Sequence, residues 1–266
     1  MDRPLESARE RIFNVPPVLA GLVGSLCFIH LMVAFVLPAN ENEALLELFA
    51  FDPVRYRSTL FPVPGETLPG GFAAGIWTFV TYAFFHVNLT HLIFNLIWLV
   101  TFGTPVARRF GTWRFLGFFA FAAAAGALAH LITHIDQNVP TIGASAAVFG
   151  LMAGAMRFIF QPGGPLGRLR LGEEDTYRVP AKPLGAMFRD RRMLLFVLVW
   201  FGLNALLAMP LFAMPGIQAG VAWEAHVGGF VAGLLGFAAF DPLSPLPEGS
   251  PREDNEATDD EPPIPQ

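Results

Sequence analysis

Apolar residues fall in six long blocks, near 18–37, 77–103, 113–133, 143–160, 193–213 and 222–240, with polar, proline- or glycine-bearing connections between them. A helix that crosses a bilayer needs about 20 mostly apolar residues, 17–25 in practice, so each block reads as one span. The block at 77–103 is longer than an untilted span requires, and His86-Val87-Asn88 interrupts it. Asn88 carries the short side-chain carbonyl that caps helix N-termini. The spanning helix is therefore expected to start near Leu89, with 76–87 lying at the interface. The pattern predicts an all-α membrane protein, a bundle of six transmembrane helices that uses nearly all of residues 18–240.

Composition agrees with that reading and adds direction. Of 266 residues 53% are hydrophobic and 15% charged, against about 25% charged in a typical soluble domain. Fifteen of the 17 Lys and Arg fall in the N-terminal segment, the second and fourth connections and the tail; only Arg55 and Arg57 fall on the other side. The positive-inside rule then puts both termini in the cytoplasm and the long first loop, about 38–76, outside. Residues 1–17 form a cytoplasmic segment too long and too mixed in charge for a signal peptide. The last 26 residues, 241–266, hold seven prolines and eight acids against one arginine, a composition that favours disorder. That tail accounts for the net charge of −5, which excludes a nucleic-acid partner. A single cysteine, Cys27, excludes a disulfide framework.

Polar side chains inside a bilayer are costly and mark function. His91 and Asn95, four apart, share one face near the outer end of the second span. Ser145 opens the fourth span from the outside, and His226 lies just inside the outer end of the sixth. A serine, two histidines and an asparagine on three helices thus share one leaflet. Gly150 and Gly154 on the fourth span, and Gly228, Gly229, Gly233 and Gly236 on the sixth, are small enough to let these helices approach backbone to backbone. A serine and a histidine brought together this way form a nucleophile and its base.

These motifs resemble the rhomboid intramembrane serine proteases. The His-x-x-x-x-His-x-x-x-Asn pattern of that family is matched by His86, His91 and Asn95. Gly143-Ala144-Ser145-Ala146 approximates its Gly-x-Ser-Gly, and Ala225-His226-Val227-Gly228-Gly229 its Ala-His and glycine-rich stretch. The resemblance covers about residues 18–240 and implies a six-span rhomboid-like bundle. It further implies Ser145 as nucleophile and His226 as general base, with no aspartate. The oxyanion would be held by the side chains of His91 and Asn95 and the backbone N–H of Ser145. His86, Gly143, Phe149 and Gly229 would be structural or substrate-proximal. The implied substrates are transmembrane proteins cut near the outer face of a bacterial cytoplasmic (inner) membrane. No cofactor is implied.

Two positions depart from the family pattern: Ala146 stands where glycine is usual, and Phe149 where many relatives have tyrosine. The methyl of Ala146 is placed to crowd the substrate or the contact of spans four and six, yet alanine is small enough that activity is expected to survive, and Phe149 is expected to stack on the His226 ring. His30 is expected to be a hydrogen-bonded core residue, and His130 and His134 interfacial. Glu224, two residues before His226, is expected to face water or the outer loop. These histidines are scattered and lack the His-Glu-x-x-His pattern, so no metal site is expected. Loop 161–192 reads as a solvated connection held near anionic lipid. A catalytically inactive rhomboid-like protein that binds membrane clients, and a six-span transporter, are the alternatives.

Overall fold

The computed structural model describes residues 15–56, 69–135, 137–167, 174–207 and 222–243. The expected N-terminal segment up to residue 14, the end of the fifth block, the loop at 215–216 and the tail beyond 243 lie outside the described residues.

Helix α1, Pro17–Leu31, opens on a proline at its first position, where the missing N–H costs nothing; a π-helical turn, Met32–Val36, extends it. Helix α2 is Ala39–Phe49. Helix α3, Gly71–Thr81, ends in a tight turn, Tyr82–Phe84, so the stretch expected at the interface is helical for most of its length. A helical stretch Leu89–His134 then breaks at Gly111, whose φ of 71° suits a residue without Cβ. The break gives two arms, 89–110 (α4) and 112–134 (α5). Helix α6 is Ser145–Met156. A single turn α7, Leu184–Met187, precedes α8, Arg191–Leu207, and α9 is Trp223–Phe240. Among the described residues there is no strand, only an isolated antiparallel bridge between Phe51 and Thr141.

Among the described residues, three helical stretches are long and apolar enough to cross a membrane: Pro17–Val36, Leu89–His134 and Trp223–Phe240. Large apolar side chains such as Phe35, Ile97, Leu198 and Leu235 are exposed, as a lipid-facing surface requires and an aqueous one penalises. Helix α6 differs from the rest. Every residue from Ala146 to Met156 is buried, so it has no outward face and sits at the centre, packed between α5 and α9. A helix buried all round is apolar all round, which the sequence SAAVFGLMAGAM satisfies.

Glycines let α6 and α9 meet at backbone distance. A Cβ on Gly229 would overlap the Ala146 carbonyl, and one on Gly233 the Gly150 carbonyl. The opposite end of the bundle is fixed by arginines. Arg109 donates Nε to Asp241 Oδ1 at 2.9 Å and Nη2 to Oδ2 at 2.8 Å, and its Nη1 donates to the carbonyls of Tyr177 and Val179. Arg157, just past the end of α6, donates to the carbonyls of Lys182 and Leu234. The described part of loop 161–192 is therefore more than a solvated connection: it docks onto the helix ends because buried guanidinium groups need carbonyl acceptors.

Candidate active site

Ser145 is the first residue of α6, and the segment leading into it is held at three points. Phe51 and Thr141 exchange backbone hydrogen bonds of 3.2 and 2.8 Å. The ring Nε2 of His130 donates to the Val139 carbonyl at 2.8 Å. The Gly143 N–H donates to the Tyr82 carbonyl at 3.0 Å, while the Tyr82 hydroxyl donates to the Ala123 carbonyl on α5. Gly143 has φ of 126°, which a side chain would strain, and a Cβ there would lie 2.7 Å from His91 Cε1. The position of Ser145 is thus set by anchors in the first loop, just past α3 and on α5.

From α9, His226 directs Nε2 at Ser145 Oγ, 2.8 Å away. Its ring is buried and stacks on Phe149, with centroids 4.4 Å apart and planes 11° from parallel. Phe149 lies one turn beyond Ser145 on the same face of α6, as expected from its spacing. Trp200 and Phe201 of α8 pack edge-on against Phe149. Among the described residues no carboxylate hydrogen-bonds His226. Glu224 is buried rather than solvent-facing, and binds His130 across to α5. Its side chain leaves the start of α9 in a different direction from His226, as an i, i+2 pair must. His130 is likewise buried instead of interfacial.

On α4, Asn88 caps the helix as expected, accepting from the His91 N–H at 2.9 Å. The His91 ring lies against Gly143, two residues before Ser145. Asn95 is buried and donates Nδ2 to the His91 carbonyl at 2.9 Å; neither side chain hydrogen-bonds Ser145 among the described residues. His86 is buried beside His91, with ring centroids 5.1 Å apart. His30 is buried too, but its Nδ1 has no hydrogen-bond partner among the described residues, which departs from the expectation. Both rings line a cavity of about 340 Å³ between α1, α2 and the residues before α4.

Ala146 resolves one of the two departures in a direction not anticipated. Its methyl faces Gly126 of α5, where a Cβ would overlap it. The side chain therefore packs toward α5, while the Ala146 carbonyl and Cα meet Gly229 of α9. Gly126 makes room for that methyl across the α5–α6 contact, and the spacing on α6 alone does not reveal it.

The arrangement has the parts of an acyl-transfer site: a hydroxyl, an imidazole in hydrogen-bond reach, and unpaired N–H groups at the start of α6. Sequence reasoning passed over Tyr82 and the Glu224–His130 pair, whose partners come from distant elements. The only signal for either is a polar atom on an otherwise apolar face.

The Rhomboid domain family model matches residues 73–240. The chain is 26% identical over 176 residues to rhomboid protease GlpG of Pectobacterium atrosepticum, covering 66% of this chain and 50% of that one. It is 23% identical over 160 residues to GlpG of Haemophilus influenzae, covering 60% and 67%. To rhomboid protease GluP of Bacillus subtilis it is 34% identical over 83 residues, covering 31% and 16%. The matches thus span half or less of several relatives, GluP and the Pectobacterium GlpG among them. With a match over more than half its length, the chain belongs to the rhomboid family, whose relatives here are membrane proteases.

Proposed function

We propose that this chain is an intramembrane serine endopeptidase that cuts transmembrane substrates near the outer membrane face with a Ser145–His226 dyad. The observation that carries the proposal is the 2.8 Å approach of His226 Nε2 to Ser145 Oγ, made between two helices in backbone contact. His226 Nε2 takes the hydroxyl proton as Oγ attacks the scissile carbonyl carbon, and returns it to the leaving amine. Water then attacks the acyl-enzyme by the same proton transfers in reverse order. The oxyanion is received by the Ser145 N–H and by His91 and Asn95, whose side chains swing onto it once substrate is bound. Each such donor is worth about 10²–10³ in rate.

The same proposal assigns the finer architecture. Residues 18–240 form a six-span domain, α1, α4, α5, α6, α8 and α9 being the spans, with both termini cytoplasmic. Segments 1–17 and 241–266 flank it, the latter as an acidic tail. The membrane is a bacterial inner membrane, and the distribution of Lys and Arg supports this orientation. Gly143 and His86 shape the approach to Ser145, and Gly229 sets the helix contact.

The test is labelling by a fluorophosphonate and cleavage of a model transmembrane substrate in detergent. Native chain labels and cleaves, Ser145→Ala does neither, and His226→Ala cleaves about 10²–10⁴-fold more slowly. Cleavage that survives Ser145→Ala sinks the dyad, and an inert native chain with an intact fold favours a client-binding relative.

A further inference from the structure

We propose that His130, His134 and Glu224 form a divalent transition-metal site, suited to Zn²⁺, at the outer ends of α5 and α9. Sequence spacing offers no metal motif, but the fold brings two histidines of one helix, four apart, against a glutamate of another. One ligand atom from each lies within 4.8 Å of the others. His130 Nδ1 is 2.6 Å and His134 Nδ1 3.6 Å from Glu224 Oε1.

Hydrogen-bond chemistry at His130 argues that a cation belongs between these groups. Its Nε2 is 2.8 Å from the Val139 carbonyl, which can only accept, so Nε2 carries the hydrogen. Nδ1 of a neutral ring then presents its lone pair to a carboxylate. Two buried acceptors cannot face each other at that distance without a positive charge between them. Either a proton or a metal ion supplies it. The Nε2–H to carbonyl bond is also the outer-sphere contact that metal-binding histidines usually make. His134 Nδ1 is now shared with Thr133 Oγ1 at 2.9 Å and the His130 carbonyl at 3.3 Å, and turns to the metal by a side-chain rotation. Tetrahedral bonds of about 2.0–2.1 Å require the 2.6 Å pair to open by under about 1 Å. His134 is 26% exposed, which leaves the fourth position to water. Binding expels the bridging proton and ties the start of α9, two residues before His226, to α5.

The chelator-stripped full chain in detergent is titrated with Co²⁺ and then Zn²⁺, following visible absorption, bound metal and released protons. One equivalent of Co²⁺ is expected to develop intense bands, displaced by Zn²⁺, and Zn²⁺ to raise the thermal midpoint. His134→Ala removes a part-exposed side chain without touching the buried pair, and is expected to weaken binding about tenfold or more. Glu224→Gln abolishes the bands. Absence of bands in the native chain means that a proton alone bridges the pair and overturns the proposal. Bands undiminished in His134→Ala also overturn it, since the metal then sits on other histidines such as His86 and His91. No readout depends on proteolysis, so the site stands or falls separately from the proposed activity.

Discussion

Gly229→Ala isolates the helix contact on which the proposed dyad rests. A methyl at this position would lie 2.0 Å from the Ala146 carbonyl oxygen, 2.7 Å from its carbon and 3.1 Å from its Cα. A carbon approaches a carbonyl oxygen to about 3.3 Å at closest, so α6 and α9 must part by roughly 1.3 Å at this point, and these neighbours are backbone that cannot rotate aside. Ser145 adjoins Ala146, and His226 lies one turn before Gly229, so the parting carries to the pair. A hydrogen bond of 2.8 Å then lengthens to about 4.1 Å, beyond bonding distance. Stability changes much less than activity. The alanine gains about 1 kcal/mol of helix propensity, against about 1–3 kcal/mol for overpacking. Fluorophosphonate labelling and substrate cleavage are expected to fall about 100-fold, equivalent to about 2.7 kcal/mol in the barrier, while the thermal midpoint moves by a few degrees. A variant that labels and cleaves within about twofold of native, at unchanged stability, would refute the claim that this contact sets the dyad.

Four further outcomes follow from other contacts. Ala146→Gly loses a methyl packed on Gly126 and gains no activity; denaturation should show it less stable by about 1–2 kcal/mol. Phe149→Leu keeps most of the volume but removes the stack under His226, so cleavage should slow severalfold, with about 0.5–1.5 kcal/mol lost. Asp241→Asn strips the charge from a pair whose side chains are 0% and 6% exposed, which should cost about 3 kcal/mol in thermal unfolding. Asp190 caps α8 by accepting from the Arg192 N–H, and its bond to Lys182 holds its carboxyl below the usual carboxylate range. A lowered folded value means the stabilisation exists above the unfolded carboxyl pKa and fades as pH falls through the folded one. Asp190→Ala should thus cost about 1 kcal/mol near neutrality, and native and variant should converge in acid.

What the sequence makes legible here is whatever one helix encodes by itself. The apolar blocks, the Asn88 cap and the stacking of Phe149 one turn after Ser145 all follow from periodicity along a single element. Misreadings arise where the partner lies far along the chain. Glu224 reads as solvent-facing on its own helix, yet α5 supplies His130, 94 positions away. Ala146 reads as crowding because its counterpart, Gly126, lies on a different span. Loop 161–192 reads as solvated because its glycines and arginines favour water, whereas the carbonyls of Tyr177, Val179 and Lys182 satisfy guanidinium groups rooted in α4 and just past α6. Each case is a polar demand met across the bundle, and local composition holds no record of it.

The length of α6 carries a consequence for chemistry under the proposed orientation. Twelve residues rise about 18 Å, well short of the roughly 30 Å of a bilayer's hydrocarbon core. Arg157, bound to the Lys182 and Leu234 carbonyls, marks the inner boundary together with Arg109. Ser145 then lies about 12 Å below the outer boundary. A helix long enough to span would bring the hydroxyl to the surface, out of reach of substrate peptide bonds that lie below the headgroups near the outer face. A short one sinks it, and sinking creates a demand for water that apolar walls would refuse. Under the proposed function the groups placed to meet that demand are His86, Asn88, His91 and Asn95, around the start of α4, and Ser145 is only half-buried. For that function the short helix and the polar cluster above it therefore act as one device, since hydrolysis at that depth requires both.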